Sequence, residues 1–196
     1  MLHLPRRNAR LPVTSRSASR KKTGRFIVKQ LHIIRHAKSS WKDTTLDDRD
    51  RPLNKRGIRA CALMAARIEA AGCDWVNIHT SPARRALQTI EGLAAALPEK
   101  SLQWSVDEDI YTFAGQDLLD WCHALPENHD TVVLVGHNPA LSDLIRFLSG
   151  EDMDEIPTCA YARLRLPASR WKDVAPAPGS LEALIYPRMF DGRGQD

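Results

Sequence analysis

Apolar positions along the chain switch repeatedly between runs and helical spacing. Phe26–Arg35 is a run rich in Ile, Val and Leu, and it predicts a buried strand. Asn54 then offers an N-cap to a helix reaching about Ala71, with Ile58, Cys61, Ala65 and Ile68 on one face and Gly72 just past its end. Trp75–His79 predicts a second, short strand. Ser81-Pro82 reads as an N-cap followed by Pro at the first helical position, opening a helix that runs to about Ala96 and stops before Pro98. Leu102–Val106 predicts a short strand and Asp117–Leu125 a helix. Thr131–Val135 has the β-branched and Leu composition of a central parallel strand. Asn138-Pro139 repeats the cap signal, and Leu141, Leu144, Ile145 and Leu148 form a helical stripe ended by Gly150. Tyr161–Leu166 and Leu181–Tyr186 read as two closing strands.

Strand and helix alternating with short links predict an α/β fold, a three-layer α/β/α sandwich around a mostly parallel sheet. In such sheets ligands gather outside the carboxyl ends of the strands. Three segments leave strands at that edge: Arg35-His36, Thr80-Ser81-Pro82 and Gly136-His137-Asn138. Each carries groups suited to an anion, and together they assemble one candidate site from distant pieces of chain.

Charge divides the chain in two. Nine of its 28 Lys and Arg residues precede residue 30, and no acid occurs before Asp43. The remaining 19 cations face 24 acids, so the chain from residue 30 onward carries −5. The pI of 9.0 therefore reflects the first residues. Residues 1–25 are read as a basic, disordered N-terminal tail, too polar to offset their ordering entropy. Their Arg- and Ser-rich, acid-poor composition also matches an organelle transit segment. Residues 26–196 are read as one domain, and their acidity argues against nucleic-acid binding. No apolar run approaches the roughly 20 residues that span a bilayer. Cys61, Cys73, Cys122 and Cys159 are scattered without metal-ligand spacing, which fits reduced thiols in a cytoplasmic protein and predicts no metal or other cofactor.

Chemistry follows from residue types. Arg35 presents a planar fork that matches phosphate oxygens, and His36 beside it can act as a nucleophile through a ring nitrogen. Arg84 and Arg85 point about 100° apart around their helix, so at most one reaches into the site. His137 precedes a helix start after Gly136, where it can bind phosphoryl oxygens or cap its own helix.

Taken in order, Arg35-His36-Ala37, Ser81-Pro82-Ala83-Arg84-Arg85-Ala86-Leu87-Gln88-Thr89 and Gly136-His137-Asn138-Pro139 resemble the histidine phosphatase superfamily, whose fold is phosphoglycerate mutase-like. Arg-His-Ala-Lys-Ser-Ser-Trp at 35–41, and Asp48-Arg49-Asp50-Arg51-Pro52-Leu53-Asn54-Lys55-Arg56-Gly57 after it, resemble the SixA-type phosphohistidine phosphatases. The resemblance runs from about Ile27 to at least Gly150. It implies that His36 becomes phosphorylated, that Arg35 and Arg85 clamp the phosphoryl group, and that His137 stabilises it. Arg85 is preferred over Arg84 because it directly precedes Ala-x-Gln-Thr. The family uses no metal.

Ser39 and Lys42 are further candidate phosphate contacts. Lys42 stands where many members carry Asn, Lys38 where many carry an acid, and Ala37 where the family has Gly. No acid aligns clearly as a proton donor for a leaving group. Glu108, in Asp107-Glu108-Asp109-Ile110-Tyr111, is the candidate. A phosphohistidine's imidazole leaves without such help, whereas an alkoxide needs a proton. The expected function is removal of phosphate from a phosphohistidine-bearing protein of the phosphorelay type. The alternatives are a phosphomonoesterase acting on small phosphorylated metabolites and a catalytically silent phosphate-binding protein.

Overall fold

A computed structural model describes residues 28–191. The basic tail assigned to residues 1–25 lies outside them, as do Phe26 and Ile27.

The elements are β1 (Lys29–Arg35), α1 (Lys55–Ala70), β2 (Ile78–Thr80), α2 (Arg84–Ala95), β3 (Trp104–Val106), α3 (Gly115–His123), β4 (Thr131–Gly136), α4 (Ala140–Ser149), β5 (Tyr161–Leu166) and β6 (Ser180–Ile185), joined by short 3-10 turns. The strands form one sheet in the order β3-β2-β4-β1-β5-β6. β1 pairs parallel with β4, and β2 pairs parallel with both β4 and β3. β5 runs antiparallel between β1 and β6. Five strands therefore share a direction and β5 alone opposes it, so the α/β sandwich with a mostly parallel sheet stands.

The period-2 alternation of side chains sorts the core into two layers. Leu31 and Ile33 of β1 and Val132 and Leu134 of β4 face α3 and α4. Ile34, Val133 and Val135 face α1 and α2. Both faces of β1 and β4 are covered, which is why β4 reads as a nearly continuous apolar run and β1 carries buried Leu31, Ile33 and Ile34 on opposite faces.

Asn54 caps α1 as its sequence predicts, its Oδ1 accepting from the Gly57 N–H at 2.9 Å. Other expectations need correction. Ile58 does not belong to the buried face of α1. It is 60% exposed, and Met64 takes its place in the core. The second strand begins only at Ile78, because Trp75 and Asn77 adopt left-handed backbone angles with φ of 53° and 48°. Neither Ser81 nor Asn138 is an N-cap. Ala83 holds that position for α2. Pro139 holds it for α4, with helical angles of its own, and Asn138 donates to Glu155 and Ile156 instead. Ser81 is thereby released for a role in the site.

One close approach fixes the segment after β1. The Asn54 N–H donates to the Lys38 carbonyl at 2.9 Å, and Asn54 Nδ2 to that of Ser39 at 3.1 Å. A Cβ on Gly57 would collide with the backbone N, C and O of Lys38. Alanine there gains about 1 kcal/mol of helix propensity, but the collision is with held backbone and dominates. Gly57→Ala is expected to lower unfolding stability by about 1–3 kcal/mol in denaturant titration.

Candidate active site

β1, β2 and β4 end together, because Arg35 pairs with Gly136 and Thr80 with Val135. The ladder continues past the strands: the His36 N–H donates to the Gly136 carbonyl and the Ser81 N–H to the Val135 carbonyl, both at 3.0 Å. Three loops leave one edge in step, and α2 and α4 start there, turning their positive ends toward it.

His36 and His137 face each other with ring centroids 5.1 Å apart. His36 Nδ1 lies 2.7 Å from the Ala37 carbonyl oxygen. That oxygen can only accept, so Nδ1 carries the proton and Nε2 keeps its lone pair. Arg85 Nε donates to Nε2 at 3.3 Å. Burial lowers the His36 pKa to about 4. The Ala37 carbonyl opposes the shift, and Arg85, Arg35 and Arg51 add to it. At neutral pH the imidazole is uncharged with a free nitrogen, the form a nucleophile requires.

His137 Nε2 lies 2.7 Å from Ser81 Oγ, and its buried Nδ1 has no partner among the described residues. Tyr111 and Phe113 pack on its ring at 5.5 and 5.8 Å. Burial, then His36 and Arg85, lower its pKa to about 2. A bound dianion would reverse much of that shift by favouring the charged ring.

Arg85 is almost fully buried. Besides His36, it donates through Nη1 to the Asp48 carbonyl at 2.5 Å and through Nη2 to Asp48 Oδ2 at 2.8 Å. Arg51 holds Asp48 Oδ1 from Nε and Nη2 at 3.0 and 2.7 Å, and Tyr111 Oη donates to Oδ2 at 2.9 Å. Burial pushes the Asp48 carboxyl up. The hydrogen bonds from Arg51 and Tyr111 and the charge of Arg85 outweigh it and bring the pKa to about 2. Arg35, half-buried, donates to the Ile156 carbonyl at 2.5 Å, and its Nε has no partner among the described residues. With neutral histidines, three arginines and one carboxylate leave the centre at +2, the complement of a phosphoryl dianion.

The structure thus brings His36, Arg85 and His137 together, with Arg35 at the adjoining strand end. Ser39 enters indirectly, its buried Oγ accepting from Arg51 Nη1 at 2.8 Å. Lys42 and Glu108 stay outside. Lys42 is exposed and Glu108 pairs with Arg49 at 2.7 Å on the surface.

Asp48, Arg51, Ser81, Tyr111 and Thr89 carry site geometry that sequence reasoning missed. Thr89 Oγ1 accepts from the Ala37 N–H at 2.9 Å and donates to the Arg85 carbonyl at 2.6 Å, tying the His36 loop to α2. Gln88 Oε1 accepts from the Leu53 N–H at 2.7 Å. The Gln-Thr of the Ala-x-Gln-Thr motif is therefore a brace between loops.

Similarities to other proteins extend over most of the chain. Residues 31–112 match the model of the histidine phosphatase superfamily (branch 1). The Mycobacterium tuberculosis protein Rv1276c is 31% identical over 165 residues, covering 79% of this chain and 100% of that one. The protein histidine phosphatase SixA, in a complex with tungstate, superposes with a TM-score of 0.65 at 22% identity, covering 82% of this chain and 98% of that one. The mycobacterial glucosyl-3-phosphoglycerate phosphatase Rv2419c superposes with a TM-score of 0.56 at 14% identity, covering 79% and 97%. The chain belongs to the histidine phosphatase superfamily.

The histidine environments fix a pH response. The folded pKa of His36, about 4, lies below the 6.5 of an ordinary histidine. The unfolded chain therefore binds more protons between those values, and the neutral ring's contribution to stability, complete above 6.5, is lost as pH falls toward 4. Imidazole NMR is expected to show His36 as the Nδ1-protonated tautomer at pH 7, titrating near 4. A midpoint near 6.5 would refute this environment.

Proposed function

We propose that this chain is a phosphatase that carries the phosphoryl group on His36 and acts on phosphohistidine in another protein. The observation that carries the reading is the contrast between nucleophile and acids. His36 Nε2 is unprotonated at neutral pH and held toward the arginines. The carboxylate nearest to it, Asp48, is held ionised, and Glu108 is tied to Arg49 at the surface. A site with an unprotonated nucleophile and no carboxyl holding a proton suits a substrate whose leaving group needs none from a carboxylic acid.

Nε2 attacks phosphorus as the P–N bond to the substrate imidazole breaks. The departing nitrogen keeps the bonding electrons and takes its proton from solvent. Arg85, Arg35 and His137, which takes a proton from solvent once the dianion is bound beside it, hold the equatorial oxygens, where charge builds up. Water then attacks the phosphorus of phospho-His36, and the lone pair returns to Nε2 as inorganic phosphate departs. Arg51 and Ser39 support Asp48 and the loop. Lys42 lies where it can meet a substrate's surface rather than its phosphate.

The fold shared with glucosyl-3-phosphoglycerate phosphatase favours a second reading, hydrolysis of a small phosphate ester on the same residues. Four buried free thiols fit a reducing, cytoplasmic setting. Among the described residues no helix is long and apolar enough to cross a membrane.

The experiment compares, in EDTA, turnover of a phosphohistidine-bearing protein with that of an aryl phosphate ester, using wild type and His36→Ala. Wild type is expected to clear the phosphohistidine faster, and His36→Ala to lose about a thousandfold in rate. Turnover of the ester alone would transfer the assignment to small substrates. Undiminished activity of His36→Ala would end the reading.

A further inference from the structure

Arg85 carries its charge where almost no water reaches it, its side chain being 2% exposed. A guanidinium in that position requires a counter-charge even when no substrate is bound. Asp48 supplies it: its carboxylate Oδ2 accepts from Nη2 of Arg85 and its backbone carbonyl from Nη1, while Nε rests on His36. All three nitrogens of Arg85 are thus engaged, and its best-placed edge faces Asp48 rather than a vacant phosphate position. Arg51 is engaged in the same way, with Nε and Nη2 on Asp48 Oδ1.

The carboxylate that occupies them is itself movable. The Asp48 side chain is 44% exposed and sits on the short 3-10 turn Asp48–Asp50, which buries none of its residues. Swinging it into water breaks its bonds to Arg85, Arg51 and Tyr111, and an incoming phosphoryl group replaces the counter-charge at the arginines while water solvates the carboxylate. Moving Arg85 instead would expose a buried helix residue packed under the His36 loop.

We propose that Asp48 is a resident counter-ion that an incoming phosphoryl group displaces from Arg85 and Arg51, and that its return helps expel product phosphate. This rests on the reading that phosphoryl oxygens are held by Arg85 beside His36. It makes Asp48 a determinant of affinity that acts through the two arginines. A dianion competes well against one carboxylate, so the site favours phosphoryl groups over singly charged carboxylates. Tyr111 tunes the competition, because its hydroxyl holds Oδ2 in the closed position.

The test is calorimetric titration of the whole chain with inorganic phosphate. Asp48→Asn keeps the size of the side chain and one acceptor oxygen but removes the competing charge. It is expected to bind phosphate about tenfold more tightly than wild type. Tyr111→Phe frees Oδ2 without altering charge and is expected to bind about two- to threefold more tightly. It serves as the reporter if Asp48→Asn does not fold. A residue that merely positioned the arginines would give the opposite sign, since its loss would loosen them. If wild type binds phosphate while both variants bind equally or less tightly, the inference fails and the phosphate site stands. If wild type binds no phosphate at all, this inference and the proposed function fall together.

Discussion

Everything at the site depends on the parallel register of β1 and β4. Arg35 lies opposite Gly136, so the residues that follow, His36 and His137, leave the sheet at the same height. The His36 N–H extends the ladder by one further bond to Gly136. Side chains alternate with period 2, so a slip of one residue would send the apolar set of β1 to the wrong layer and part the two rings. The covered faces forbid that slip: Leu31 and Ile33 pack on α3 and α4 while Ile34 packs on α1 and α2. The geometry of the two histidines is thus enforced by burial of residues that never touch them.

A second constraint is the burial of Arg85. Its guanidinium must be balanced locally, and the balance recruits Asp48, Arg51 and Tyr111 from two separate loops. The loop after β1 is held from below as well, by Thr89 on the Ala37 N–H and by Asn54 on the Lys38 and Ser39 backbone. This explains why residue 37 must be small. Ala37 is fully buried between the loop and α2, and a larger side chain would lift His36 away from Arg85.

The parts legible in the sequence were those that depend on short-range pattern. Helix α1 could be read from Asn54 and its apolar spacing, and β4 from its β-branched run. His36 and His137 could be placed at one edge because each directly follows a strand there, while Arg85 was separated from Arg84 only by the resemblance of Ala-x-Gln-Thr to the family motif. What could not be read depends on long-range folding of loops. Asp48 lies 37 positions from Arg85 and 63 from Tyr111, and its own surroundings entered the reading only as a resemblance to the SixA-type opening, with no role for the carboxylate. Ser81 was read as a helix cap because Ser-Pro is a cap signal. Its hydroxyl accepts from the Ala83 N–H at 3.3 Å just ahead of the helix and also meets His137, 56 residues away. The short strand before it begins late because two residues turn into left-handed angles, which propensity does not anticipate at Trp75.

The electrostatics also link nucleophile and substrate. A nitrogen nucleophile must stay unprotonated near pH 7, and here burial and the cations achieve that for His36. The same cations act on every carboxyl within their reach, and at Asp48 they hold the proton off as well. The cations that help keep His36 unprotonated also hold Asp48 ionised, whereas burial, which lowers the histidine, raises the carboxyl. Enzymes that need both functions place the acid away from the arginines, in an apolar environment that raises its pKa. Glu108 has no such environment, being exposed and paired with Arg49. The burden of protonation therefore falls on the substrate and the solvent. On the proposed reading, an imidazole leaving group fits this charge distribution better than a simple alkoxide, because its nitrogen takes a proton from solvent.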